Sequence, residues 1–269
     1  MSESHGESLG GIILHHVTND LSYTYYELSL FGMDISITKH VLMLWIVASV
    51  TIGLAIYGTH RYRKDENAQP RGLGHIFEIL MNFIRDDIII PNIGKKNGAF
   101  WTPLISTYFI FILLCNLIGL IPFFDFIPGG SSTVTGNFQT TVGLAIITFF
   151  AIIVAGSREH GFLGYWKNIV PSGVPAPVLV ILIPIEILGM FVRPFALTMR
   201  LGANMTAGHI GMLAIFALPI LLKAAPIGII SIMLNTGIYF LEMIVSFVQA
   251  YVFTLLSAVF IGMAMHAEH

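Results

Sequence analysis

The chain has 269 residues, of which 55% are hydrophobic and only 10% charged. Soluble domains carry about 25% charged residues, so this composition excludes an ordinary water-soluble protein and indicates an all-α integral membrane protein. A net charge of −2 argues against a nucleic-acid partner. The single cysteine, Cys115, excludes an internal disulfide and reads as a small core residue inside an apolar run.

Residues 1–39 form a hydrophilic N-terminal segment with no basic n-region and no apolar core of signal length, so no cleavable signal peptide is expected there. The remainder, 40–269, reads as a single membrane domain. Its first apolar run, 40–58, has the length of one crossing. Residues 73–92 place Ile76, Phe77, Leu80, Phe83 and Ile84 at helical spacing among Glu78, Arg85, Asp86 and Asp87. That pattern predicts an amphipathic helix lying in the membrane interface. Runs 101–124 and 138–156 are second and third crossings. Run 178–222 would extend ~67 Å at 1.5 Å per residue, too long for one upright passage through a ~30 Å core. Run 226–265 has the same problem. No polar turn interrupts either, so each is predicted as one long, strongly tilted helix. The two form a hairpin joined near 223–226.

Basic residues set the orientation. Arg61, Arg63, Lys64, Arg71, Arg85, Lys95 and Lys96 follow the first crossing, and Arg158 and Lys167 follow the third, while 125–137 holds none. The positive-inside rule places these basic loops in the cytoplasm. Five crossings then put the N-terminus outside and the C-terminus in the cytoplasm.

Run 178–222 contains Glu186, Arg193, Arg200 and His209, and run 226–265 contains Glu242. A charge at bilayer depth costs roughly 2.5–3.5 kcal/mol on insertion scales, so several of them mark an ion path or a proton relay. Glu186, Arg193 and Arg200 recur every seven residues. Seven residues turn a helix ~700°, about 20° short of two turns, so the three share one stripe with Asn204 close by. His209 falls on the opposite side. Glu242 and Gln249 are also seven apart and share a face. A hairpin allows His209 to meet Glu242 and Arg200 to meet Gln249, leaving Glu186 alone on the inner side. Arginine keeps its proton at physiological pH and holds a fixed charge, whereas Glu and His exchange protons with water. Arg193, beside Pro194, reads as a supporting residue that fixes helix register.

The run RPFALTMRLGANMTAG over 193–208, Gln249 in VSFVQAYVFTLLSAVF, the terminal MHAEH and LLCNLIGLIPF around Asn116 together resemble subunit a of the F-type ATP synthase. The resemblance covers residues 74–269. It implies that Arg200 is the stator arginine facing the c-ring carboxylates and that Gln249 lies near it. His209 and Glu242 match an acid–histidine pair of the outer access channel, in the order of mitochondrial members. Glu186 matches an acidic position of the inner half-channel. Asn204 and Asn116 match channel-lining asparagines, and Gly119 stands where some members carry an acid. The implied function is proton translocation through two half-channels separated by Arg200, coupled to rotation and ATP synthesis. The implied partners are the c-ring, the peripheral-stalk b subunits, protons or sodium ions, and membrane lipids. The implied location is a bacterial cell (inner) membrane rather than the mitochondrial one. No cofactor or metal is implied.

The chain carries no phosphate-binding P-loop, so it is expected to be a non-catalytic subunit with ATP chemistry elsewhere. A secondary ion-coupled transporter would show an internal repeat, and none is evident. An intramembrane enzyme would need a constellation such as HExxH, which is also missing. A purely structural membrane subunit would tolerate replacement of Arg200.

Overall fold

The computed structural model describes residues 24–26, 29–30, 33–34, 37–60, 62, 72–121, 133–168, 176–222 and 225–266. Most of segment 1–39, the basic residues Arg61, Arg63, Lys64 and Arg71, most of 125–137, the joint at 223–224 and the last three residues lie outside the described residues.

Four very short strands precede the first helix: β1 (Thr24–Tyr26), β2 (Ser29–Leu30), β3 (Met33–Asp34) and β4 (Ile37–Thr38). They pair antiparallel, β1 with β4 and β2 with β3. Helices follow: α1 (Lys39–His60), α2 (Leu73–Phe83), a π-helical turn (Ile84–Ile89), α3 (Ile90–Ile93), α4 (Lys95–Leu120), a 3₁₀ turn (Val134–Gly136), α5 (Phe138–His160), α6 (Phe162–Asn168), α7 (Ala176–Leu222) and α8 (Ala225–Met265). Five of these, α1, α4, α5, α7 and α8, are long and apolar enough to cross a membrane. The number matches the sequence reading.

At 47 and 41 residues, α7 and α8 extend ~70 and ~62 Å. Pro184, Pro194 and Pro219 lie within α7, and the helix runs through all three. Both helices are apolar along their length. Neither can stand upright in a ~30 Å core without exposing apolar turns to water.

The described chain forms two compact units: one from Met1–Ser49, Ile112–Thr140 and Leu201–Gln249, the other from Val50–Phe111, Thr141–Arg200 and Ala250–His269. In the first, the core holds Val47, Ile112, Cys115, Val134, Leu201 and Met205. Within it α7 and α8 run antiparallel: Ser231 donates a hydrogen bond to the carbonyl of Ile215, and Gly208 faces Glu242. In the second, Tyr108 packs edge-on against Phe253 with ring centroids 5.5 Å apart, and Thr148 donates to its hydroxyl at 3.2 Å. Phe149 of α5 stacks on Phe191 of α7.

The sequence pattern runs one amphipathic helix through 73–92, whereas the chain there forms α2, the π-helical turn and α3. Among the described residues α2 buries none, but Ile84, Ile88, Ile89 and Ile93 are buried. The π turn inserts an extra residue into the helix where this buried isoleucine run begins.

Helix α8 passes so close to α3 that a side chain on Gly262 would collide with the backbone carbonyl of Asn92. Backbone cannot move aside as a side chain can. Gly262→Val should therefore destabilise the fold by about 1–3 kcal/mol, the usual cost of overpacking. A clear drop in the thermal midpoint of the purified complex is expected. An unchanged midpoint would mean that this close approach is not maintained.

Candidate functional site

In the first unit the polar side chains converge around Glu242 of α8. Glu242 is 5% exposed, and a Cβ on Gly208 of α7 would coincide with its carboxylate. Glycine at 208 is what admits the acid there. His209, half-buried, is the next residue along α7, and it is Gly208 that packs against the Glu242 carboxylate. Glu242 Oε2 is buried and makes no hydrogen bond among the described residues. Among the described residues no ion pair to Glu242 is present.

Four further polar groups tie this region together. Ser246, one turn beyond Glu242, donates to the Glu242 carbonyl at 2.8 Å. Asn116 of α4, fully buried, donates through Nδ2 to the Ser246 carbonyl at 3.3 Å. Thr135 of the 3₁₀ turn donates to Asn116 Oδ1. Thr206 of α7 donates to the carbonyl of Gly136 at 3.3 Å. Gln249 is buried at 6% exposure, on the same stripe as Glu242.

The sequence reading missed Asn235, whose buried Oδ1 makes no hydrogen bond among the described residues. The signal was available, because Asn235, Glu242 and Gln249 continue a single seven-residue spacing. Thr135, Thr206 and Ser246 carried no comparable signal. Single hydroxyls in apolar runs ordinarily bond back to their own helix.

In the second unit Arg193 forms an ion pair with Glu186 at 3.6 Å and lies over the Phe260 ring at 5.6 Å. Glu186 is thus not alone, as the hairpin argument expects. Two helical turns separate the pair by ~10 Å along the axis, a gap that two long side chains on one stripe can close. Both remain partly exposed, so the pair contributes little to stability. Tyr165 of α6 sits near them. Burial pushes its phenol above the ordinary value, while Arg193 opposes the shift and Glu186 adds to it.

Arg200 is exposed, near the middle of the α7 apolar span. Exposed positions continue along α7 at Ala203, Asn204 and Ala207, with Phe195 and Met199 before Arg200. A guanidinium thus stands on an apolar helix beside small residues.

The ATP synthase A chain family matches residues 41–262, four-fifths of the chain. The chain belongs to that family, the proton-translocating stator subunit a of F-type ATP synthases. It is 41% identical over 273 residues to "ATP synthase subunit a 2" of Chlorobium luteolum, covering 97% of this chain and 77% of the relative. It is 40% identical to "ATP synthase subunit a" of Chloroherpeton thalassium, covering 95% and 77%. "ATP synthase subunit a" of Anaeromyxobacter dehalogenans is 39% identical, covering 96% and 71%. Family membership and five apolar spans together make the chain a multi-pass membrane protein.

Proposed function

We propose that Arg200 is the fixed charge that faces the carboxylates of a rotating c-ring. In this reading Glu242, His209, Asn116 and Gln249 serve the outer half-channel, and Glu186 serves the inner one. The observation that carries the reading is the exposure of Arg200 on an apolar helix. A guanidinium stays charged at any physiological pH, so an exposed one on an apolar helix is a fixed cation open to an acidic partner. Ala203 and Ala207 beside it are small residues that let a neighbouring helix approach closely. A ring of helices carrying carboxylates satisfies both features.

Protons enter from the outer side, pass Glu242 and His209, and neutralise a ring carboxylate. An ionised ring carboxylate is attracted by Arg200 and cannot carry a proton past it. On the other side of Arg200 the ring releases its proton toward Glu186. The membrane potential supplies about 2.3 kcal/mol per charge per 100 mV and biases the direction. The partly exposed carboxyl–guanidinium pair of Glu186 and Arg193 keeps the acid in reach of water. In this reading the N-terminus is outside and the C-terminus cytoplasmic, an orientation that the distribution of basic residues supports. The peripheral-stalk b subunits are the further partners.

The proposed ring face is tested by crosslinking in the assembled complex. Asn204→Cys, paired with a cysteine on the outward face of the ring subunit, should form a disulfide under mild oxidation. Leu201→Cys, at a position 1% exposed, should not. The native Cys115 is fully buried and gives little background. Absence of any Asn204→Cys product with the ring would contradict the docking.

A further inference from the structure

The 3₁₀ turn Val134–Gly136 is tied to α4 on one side and to α7 on the other. Thr133 lies so close to α4 that a side chain on Gly119 would collide with its backbone. On the other side, Thr206 of α7 donates to the Gly136 carbonyl at 3.3 Å. A side chain on Gly136 would press on the Thr133 hydroxyl. Thr135, fully buried, is thereby carried to Asn116.

Hydrogen-bond chemistry then fixes the amide of Asn116. The carbonyl of Ser246 can only accept, so Asn116 must present Nδ2 to it. Asn116 Oδ1 therefore points away from Ser246 and needs a donor, which is the Thr135 hydroxyl. The chain of bonds continues from Ser246 Oγ to the carbonyl of Glu242. Without the threonine hydroxyl, Oδ1 is left buried and unmatched, and the Asn116 side chain loses the bond that fixes its rotamer. Turning the amide over is no escape, because two acceptors would then face each other at Ser246. The bond from Nδ2 that ties the Glu242 turn of α8 to α4 is thereby weakened.

We infer that Thr135 is a positioning residue of the proton path: through Asn116 and Ser246 it holds the Glu242 turn of α8 in the conducting geometry. The inference rests on the proposed role of Glu242 and names a residue acting at that same site.

The test measures passive proton uptake from the outer side in vesicles whose catalytic heads have been removed, per assembled complex. Thr135→Val keeps the side-chain volume and removes the hydroxyl. Uptake should fall roughly 5- to 30-fold, the population factor of one unmade buried hydrogen bond. The solvent deuterium isotope effect should rise, because the proton step becomes more limiting. Thr135→Ser should restore both. If Thr135→Val does not assemble, Thr135→Ala makes the same comparison without added bulk. Unchanged uptake and isotope effect in an assembled hydroxyl-free variant would overturn the inference. Glu242→Gln in the same vesicles separates the two levels. If it blocks uptake and Thr135→Val does not, only the role of Thr135 fails. If Glu242→Gln leaves uptake unchanged, the path reading fails and this inference falls with it.

Discussion

Replacing Glu242 by glutamine should reduce ATP-driven proton pumping on the order of 10²-fold, the lower range for loss of a positioned proton-transfer group. Glutamine has nearly the same volume and occupies the same seat against Gly208, so packing is conserved. What it loses is the ability to release and rebind a proton. The effect is therefore on conduction and not on assembly. ATP hydrolysis by the attached catalytic head and the amount of complex recovered are the controls. Glu242 makes no ion pair with any described residue. Its replacement should thus leave no opposite charge stranded, and stability should change by less than the several kcal/mol typical of broken buried pairs. Pumping at the wild-type rate in an intact Glu242→Gln complex would remove this carboxylate from the route.

The second large effect is expected at Arg200. Alanine there removes a charge that no change of pH can remove in the native protein. A ring carboxylate arriving ionised then meets no compensating cation, and at bilayer depth that is costly. ATP-driven pumping should fall to background. Arg200→Lys should recover little of it, because an ammonium lacks the planar, delocalised fork of guanidinium and titrates readily when desolvated. Recovery to near the wild-type rate with lysine would mean that only a positive charge is required.

The sequence made the helices legible because the bilayer imposes a length and an apolar composition that few other constraints can imitate. All five spans follow from the apolar runs, and the long runs 178–222 and 226–265 become the unbroken α7 and α8. The stretch 73–92 was harder. Ile76, Phe77, Leu80, Phe83 and Ile84 read as the apolar side of one interfacial helix, but a π turn, which has no strong composition signature, follows Phe83 and buries Ile84, Ile88 and Ile89. The short strands before α1 were not expected, since pairs of two or three residues carry almost no periodic signal.

The site was partly legible for a related reason. Seven-residue spacing on a known helix predicts which residues share a face, and so Glu186 with Arg193, and Glu242 with Gln249, could be grouped in advance. Spacing does not say whether two long side chains reach each other, and Glu186 pairs with Arg193 instead of standing alone. Contacts between distant segments were invisible. Nothing in the local sequence around Thr135 shows that its hydroxyl meets Asn116, or that Gly208 makes room for Glu242. Those contacts depend on which helices become neighbours, and apolar composition does not encode neighbours.

The central claim is that Arg200 keeps two proton half-channels apart. It is tested most directly by passive proton leak through head-stripped vesicles carrying the complex, comparing wild type with Arg200→Ala. The variant, although unable to pump, should assemble and leak protons at least as fast as wild type. A variant that assembles, pumps normally and leaks no more than wild type would contradict it.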